Sequence, residues 1–69
     1  MISYAPLWDT MRKNSISTYA LIKTYGFSKG TLHRLKHDLP VTTVTLDDLC
    51  RILSCRVEDI VVYKPDSPL

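Results

Sequence analysis

Cationic side chains are concentrated in one stretch of the chain that contains no acid. Between Asp9 and Asp38 there is no Asp or Glu, yet this stretch holds six of the nine Lys and Arg residues, namely Arg12, Lys13, Lys23, Lys29, Arg34 and Lys36. The net charge of +2 therefore averages over a basic first half and a second half that holds most of the acids. Such a division is typical of a protein that presents one surface to a polyanion.

The basic residues after Ser28 fall on one side of a predicted helix. At 100° per residue, Thr31, Leu32 and Leu35 share one arc. The opposite arc carries Lys29, Gly30, His33, Arg34 and His37. Because the Ser28 hydroxyl can cap a helix that follows it, we predict a helix from about Lys29 to His37 with a buried aliphatic face and a free basic face.

Two helices are predicted before this one. Pro6 suits a first helical turn, where no N–H is needed, and predicts a helix from about Pro6 to Lys13. Ser17 can cap a second helix, and Gly26 ends it because glycine adopts the left-handed conformation without steric cost. Its apolar side carries Leu21, Ile22 and Tyr25. Two helices joined by a tight glycine-containing turn have the layout of a helix-turn-helix.

The second half of the chain predicts two more helices. Pro40 and the β-branched run 41–44 indicate a non-helical connection. Thr45 and Asp48 have the spacing of a capping box, which predicts a fourth helix from about Leu46 to Ser54. It would bury Leu46, Leu49, Ile52 and Leu53. A fifth short helix is expected near residues 57–61.

The two ends of the chain predict short extended segments. Ile2 and Tyr4 alternate with small or polar residues, and Val61 and Tyr63 do likewise. These segments are expected to pair either within one chain or across a dimer. A disordered polar tail is expected over residues 64–69.

Two stretches carry a resemblance to a known family. Residues 16–35, which read ISTYALIKTYGFSKGTLHRL, resemble the helix-turn-helix of the Cro/CI (XRE) repressor family. Residues 45–53 and 57–60 are similar to the fourth and fifth helices of that family, particularly in its small single-domain bacterial members. The resemblance extends over about residues 7–63. It implies an all-α, lambda-repressor-like domain of five short helices that spans residues 1–69, with the helix-turn-helix at about 17–37.

The same resemblance implies a sequence-specific DNA-binding transcriptional regulator whose recognition helix, residues 29–37, enters the major groove. Lys29 would donate to a guanine edge, and the absence of a side chain at Gly30 would let the backbone approach the duplex. His33 would contact a base or a phosphate. The implied DNA-binding set is Thr18, Lys23, Ser28, Lys29, Gly30, Thr31, His33, Arg34 and Lys36. Thr18 stands where the family commonly has a longer Gln, and Ile22 stands where it often has Ala.

Three other functions are weighed against DNA binding. A protein-interaction module, such as an anti-repressor or the partner of a toxin, would have no need for an acid-free recognition helix. A zinc site could draw on His33, His37, Cys50 and Cys55, but Cys50 falls on the buried face of its helix while both histidines point away from the core, so no metal is expected. Catalysis is not expected either, nor is a cofactor. The adjacent acids 47–48 and 58–59 lie at helix starts, where interaction with the helix dipole accounts for them.

The length and the apolar pattern limit the remaining possibilities. A chain of 69 residues has room for one domain, and we expect no effector domain for a small molecule. The apolar runs are far shorter than the roughly 20 residues that cross a bilayer, and the first residues do not resemble a signal peptide, so a cytoplasmic protein is expected. The expected partners are double-stranded DNA and a second copy of the chain, since a dimer would hold two recognition helices about 34 Å apart.

Overall fold

The computed structural model describes residues 1–65 and contains four α-helices and a two-stranded ribbon in that range. In chain order the elements are β1 (Ile2–Ser3), α1 (Ala5–Lys13), α2 (Thr18–Lys23), α3 (Lys29–Lys36), α4 (Thr43–Leu53), a 3-10 turn (Val57–Asp59) and β2 (Val62–Tyr63). The mostly helical fold was expected. The count of five helices was wrong, because the last of them is a single 3-10 turn. Part of the tail expected after residue 63 lies outside the described residues.

The ribbon joins the first residues of the chain to the segment that follows the 3-10 turn. β1 pairs antiparallel with β2, with Ile2 opposite Tyr63 and Ser3 opposite Val62. Beyond the ladder, the Lys64 backbone N–H donates to the Met1 carbonyl at 2.8 Å. The extended segments are thus confirmed, and the chain adopts the pairing within one molecule.

The core is built from the inward faces of the helices together with Tyr4 and Ile60. Its buried members are Tyr4, Leu7, Met11, Leu21, Leu32, Leu35, Leu49, Leu53 and Ile60. Each α-helix contributes one or two of these side chains at helical spacing, so each has one face committed to the core. Tyr25, which was expected on the apolar side of the second helix, lies in the turn after α2 and is 43% exposed.

Two helix starts follow the expected capping chemistry. The Ser17 hydroxyl accepts a hydrogen bond from the Ala20 N–H at 3.1 Å, and the Ser28 hydroxyl accepts one from the Thr31 N–H at 3.0 Å. Each bond satisfies a backbone donor that has no partner within its own helix. α2 and α3 therefore begin where the sequence predicted.

The start of α4 differs from the prediction. The helix begins at Thr43, and its cap is Thr42, whose hydroxyl accepts from the Thr45 N–H at 3.3 Å. The capping box of Thr45 and Asp48 is wrong, because both residues lie inside the helix. β-branched residues disfavour helix only weakly, so a well-placed cap at Thr42 and an amphipathic continuation outweigh them.

The 3-10 turn fixes the chain between α4 and β2. The Asp59 carboxylate accepts from the Arg56 backbone N–H at 3.0 Å. The Thr10 hydroxyl of α1 donates to the Asp59 carbonyl at 2.7 Å. Ile60 then enters the core. The chain must next reach the ribbon, which leaves no room for the full α-helix expected over residues 57–61.

Three helices end in the same hydrogen-bonded turn, the Schellman motif, in which one residue adopts a left-handed conformation. This residue is Ser15 after α1, Asp38 after α3 and Ser54 after α4, with φ of 55°, 56° and 49°. In each motif the N–H of the next residue donates to a helix carbonyl five residues earlier: Ile16 to Met11, Leu39 to Arg34 and Cys55 to Cys50. The turn between α2 and α3 instead uses Gly26, with φ of 75°.

Asp38 also connects the end of α3 to the start of the chain. Its carboxylate accepts a hydrogen bond from the Tyr4 N–H at 2.9 Å, and the Tyr4 hydroxyl donates to the Leu39 carbonyl at 2.9 Å. Burial, followed by the nearby Asp38 charge, raises the pKa of Tyr4. These bonds hold α3 against the segment between β1 and α1.

Candidate nucleic-acid interface

The outward face of α3 is basic over its whole length. Lys29, His33, Arg34 and Lys36 are exposed, whereas Leu32 and Leu35 are buried. The predicted division into a free basic face and a buried aliphatic face is confirmed. Because α3 contains no acid, the surface that it presents to solvent is uniformly attractive to anions.

A chain of hydrogen bonds holds Arg34 against the start of α3. The hydroxyls of Ser28 and Thr31 lie 2.9 Å apart, and the Arg34 Nη2 donates to the Thr31 Oγ1 at 3.1 Å. The guanidinium is thereby directed toward the N-terminal turn of the helix. These hydrogen bonds were not predicted from the sequence, although the repeated spacing of three residues, 28–31–34, is the pattern that indicates them.

Arg34 differs from the other arginines in its partners. Arg12 pairs with Asp9, Arg56 lies 3.9 Å from Glu58, and Arg51 contacts two carboxylates, those of Asp47 at 3.3 Å and Asp48 at 2.7 Å. Among the described residues, no carboxylate pairs with Arg34. Its charge is therefore available to an external anion.

The two lysines of α3 also keep their charge uncompensated. Within residues 1–65, neither Lys29 nor Lys36 forms an ion pair. Lys29 opens the helix and Lys36 closes it. Together with Arg34 they give α3 three cations that have no acidic partner in the described part of the chain.

The residues of α2 that were predicted to bind DNA lie apart from the cations of α3. Lys23 is in the last turn of α2, and its Nζ is 5.9 Å from the ring centroid of Tyr19, one turn earlier. Tyr19 is 68% exposed. Thr18 is half-buried at the start of α2 and has the short side chain noted above. The structure thus gathers Ser28 to Lys36 on one helix and leaves Thr18 and Lys23 on its neighbour.

Gly30 occupies a position that leaves space for a larger residue. A β-carbon built there would meet only the Arg34 side chain at 3.7 Å and the Ser28 hydroxyl at 3.8 Å, both ordinary van der Waals distances. Packing against the described residues therefore does not require glycine at this point of α3.

The four residues of the zinc hypothesis do not converge. The His33 and His37 rings lie against each other on the exposed side of α3, with centroids 4.3 Å apart and planes tilted by 41°. Cys50 and Cys55 are half-buried free thiols at the end of α4. Over residues 1–65, no group of three or more His, Cys, Asp or Glu side chains is placed to hold a metal ion. None of the helices in the same range is long and apolar enough to cross a membrane.

Comparison with known proteins agrees with this geometry. The crystal structure of the transcriptional regulator VanUg, Form II, superposes with a TM-score of 0.85 at 28% sequence identity, over 94% of this chain and 87% of that chain. No curated protein matches the chain. The family model described as Cro/C1-type HTH DNA-binding domain matches residues 6–66, which include all four α-helices, apart from the first residue of α1, and the ribbon strand β2. The chain therefore belongs to the Cro/C1-type helix-turn-helix DNA-binding domain family.

Proposed function

We propose that this protein is a sequence-specific DNA-binding transcriptional regulator and that residues 29–37 form its recognition helix in the major groove. The observation that carries the proposal is the outer face of α3, where Lys29, Arg34 and Lys36 have no acidic partner among the described residues. A groove-facing helix needs such free cations, because affinity for DNA comes largely from the release of counterions when phosphates are neutralised.

Base contacts are assigned to the start of α3. Lys29 and His33 lie one turn apart on the exposed side, and Lys29 donates to guanine O6 or N7 in the proposed complex. Gly30 between them permits close approach of the helix backbone, which agrees with the absence of any packing reason for glycine.

Contacts to the DNA backbone are assigned to the hydrogen-bonded side chains at the start of α3 and to α2. Ser28, Thr31 and Arg34 contact the sugar-phosphate backbone, with the guanidinium already held by the Thr31 hydroxyl. Thr18 at the N-terminal end of α2 approaches the same strand. Lys23 and Lys36 provide longer-range attraction.

The proposed complex contains two copies of the chain. An apolar groove of about 360 Å³ lies between the ribbon and the α3–α4 connection, lined by Ile2, Tyr4, Asp38, Leu39, Pro40, Val41, Leu46 and Val61. Of the described residues that line it, Asp38 alone is charged, and its carboxylate already accepts from the Tyr4 N–H. Ile2 and Leu39 are 47% and 41% exposed. Interfaces between protein subunits have such charge-depleted centres, and the strands of the ribbon offer free edges to a second copy.

Selection of binding sites from random duplex DNA, followed by anisotropy at increasing salt, tests the DNA proposal. Wild-type affinity should fall with a log–log slope of about −0.9 for each phosphate contact. Arg34→Ala should weaken binding to all sequences and reduce the slope by about 1, whereas Lys29→Ala should change the selected sequence. Arg51→Ala is the matched control, because that arginine is already paired with two carboxylates. Absent binding at low salt would instead favour a protein-interaction module of the same fold.

Sedimentation tests the dimer separately. Leu39→Lys places a charge beside the apolar groove and should shift the protein to monomer. Val57→Lys alters an apolar side chain that is 50% exposed but does not line the groove, so it should leave the assembly unchanged. A wild-type monomer at high concentration, with one protein bound per selected site, would contradict the dimer.

A further inference from the structure

The Schellman motif at the end of α4 places the two cysteines of the chain opposite each other. The Cys55 N–H donates to the Cys50 carbonyl at 3.1 Å, and the Ser54 N–H donates to the Arg51 carbonyl at 3.4 Å. In this motif the side chains of the first pair commonly touch. The equivalent pair at the end of α1 is Met11 and Ile16, and both of those side chains pack into the core.

The backbone distance between the two cysteines suits a disulfide. With standard bond lengths, a hydrogen bond of 3.1 Å from Cys55 to Cys50 limits their Cα atoms to at most about 7 Å apart. Disulfides form when this separation is below about 7 Å. The backbone therefore meets the Cα requirement for a bridge between the two side chains.

Both thiols are partly exposed to solvent. Burial is the largest cause that raises the pKa of Cys55, followed by the nearby Cys50 and by Asp59. Both residues are only half-buried. An open cleft of about 460 Å³ between the end of α1 and the 3-10 turn has Cys55 in its wall, beside Lys13 and Arg56. A small oxidant can enter this cleft.

We propose that Cys50 and Cys55 are a site of reversible oxidation that closes to an intramolecular disulfide on reaction with a peroxide. One thiolate attacks the peroxide O–O bond, forming a sulfenic acid and releasing water or an alcohol. The second thiol then attacks that sulfur, forming the S–S bond and releasing water. The two sulfurs lose two electrons, the peroxide gains them, and a dithiol reductant reverses the change.

The bridge should tighten the end of α4 without touching the outer face of α3. It would close a ring of six residues, and closure of such a ring restricts the unfolded chain. We expect the Tm of the oxidised protein to rise by about 5–15 °C. The site lies beside α1 and the 3-10 turn, so this inference does not rest on the proposed DNA binding.

Arg51 makes the bridge directly measurable, because trypsin cleaves between the two cysteines. The full-length chain is treated with stoichiometric hydrogen peroxide and digested without reductant. The expected product is one linked species composed of the peptides 37–51 and 52–56, which separates on addition of a dithiol. The mass of the intact protein should fall by that of two hydrogen atoms, and no covalent dimer should form.

Cys50→Ser and Cys55→Ser are matched controls, since each leaves one thiol in the same motif. Each should give only sulfenic or further oxidised forms, or disulfide-linked dimers. The proposal is overturned if wild-type protein behaves like these variants, with the two peptides unlinked. It is also overturned if the linked protein has a lower Tm than the reduced protein, because the folded helix end would then not accommodate the bridge.

Discussion

α3 and α4 have similar buried faces and different charges on their exposed faces. Each begins after a hydroxyl cap, Ser28 or Thr42, and each buries two leucines. On the outside, Arg51 of α4 contacts two carboxylates of its own helix, whereas Arg34 of α3 donates to a hydroxyl and has no carboxylate partner among residues 1–65. Both helices pack against the same core, so the difference between them lies in the charges that their outer faces present to solvent.

The charges on the exposed faces contribute little to the stability of the fold. Ion pairs between exposed side chains, such as those of Arg51, contribute about 0–1 kcal/mol and are screened by salt. The cost of leaving Arg34 unpaired is therefore small. A chain can keep three cations free on α3 because its core leucines, and not its surface charges, hold the helix in place.

Removal of a core leucine should give the largest effect, and it should be the same on both helices. Leu35→Ala and Leu49→Ala each delete a fully buried side chain, which should lower the free energy of unfolding by about 2–5 kcal/mol. Urea titration followed by circular dichroism measures the free energy of unfolding. Lys36→Ala, next to Leu35 but exposed, is the control. A loss at Leu35 much smaller than at Leu49 would show that the inner faces are not equivalent.

The outer faces should respond differently to a change of charge. Arg34→Ala should weaken duplex binding about tenfold at moderate salt, since one charge-assisted contact is lost. Freeing Arg51 by the double change Asp47→Asn and Asp48→Asn should alter affinity less than about threefold, because only long-range attraction is added. Anisotropy at matched ionic strength measures both. Equal effects from the two helices would remove the distinction between their outer faces.

The two caps should contribute equally to stability but not to binding. Ser28→Ala and Thr42→Ala each remove a side-chain acceptor at a helix start and should cost about 1 kcal/mol. Only Ser28 also contacts the Thr31 hydroxyl, which holds Arg34, so only Ser28→Ala should weaken DNA binding beyond its effect on folding. Thermal melts and anisotropy on the same samples separate the two. Serine at position 42 should restore the α4 cap.

The two glycines should respond to alanine with opposite signs. Gly30→Ala should raise the free energy of unfolding by up to about 1 kcal/mol, because the helix accommodates the methyl group and alanine is the better helix former. Gly26→Ala should lower it by a similar amount, because its φ of 75° is strained for alanine. If the α3 backbone approaches DNA closely, the more stable Gly30→Ala protein should also bind more weakly. Unchanged affinity would remove the proposed role of Gly30.

The sequence predicted most accurately the features that depend on neighbouring residues. The caps at Ser17 and Ser28, the glycine turn and the two faces of α3 all follow from local spacing and are confirmed. The start of α4 was misplaced because two caps, Thr42 and Thr45, compete, and the choice depends on packing of the whole helix. The fifth helix was lost because residues distant in sequence, Thr10 of α1 and the β1 strand, fix the chain there.

The surface chemistry was harder to predict than the core. Whether an exposed arginine is free or paired depends on side-chain directions that the charge count does not give. The acid-free stretch contains the unpaired cations of α3, but it also contains Arg12, which pairs with Asp9 at the edge of that stretch. The stretch could not distinguish Lys23, whose Nζ lies over the Tyr19 ring, from Lys29, for which residues 1–65 provide no ion-pair or cation–π partner.

Two of the left-handed residues at the helix ends occupy positions where glycine would stabilise the fold. Ser15 and Ser54 hold a conformation that costs a residue with a β-carbon about 1–2 kcal/mol, and neither makes a side-chain hydrogen bond among the described residues. Asp38 holds the same conformation, but its carboxylate binds the Tyr4 N–H. Natural drift could therefore introduce glycine at positions 15 and 54 at little cost to function. Such changes would offset destabilising substitutions on α3, where a regulator that acquires a new target must vary.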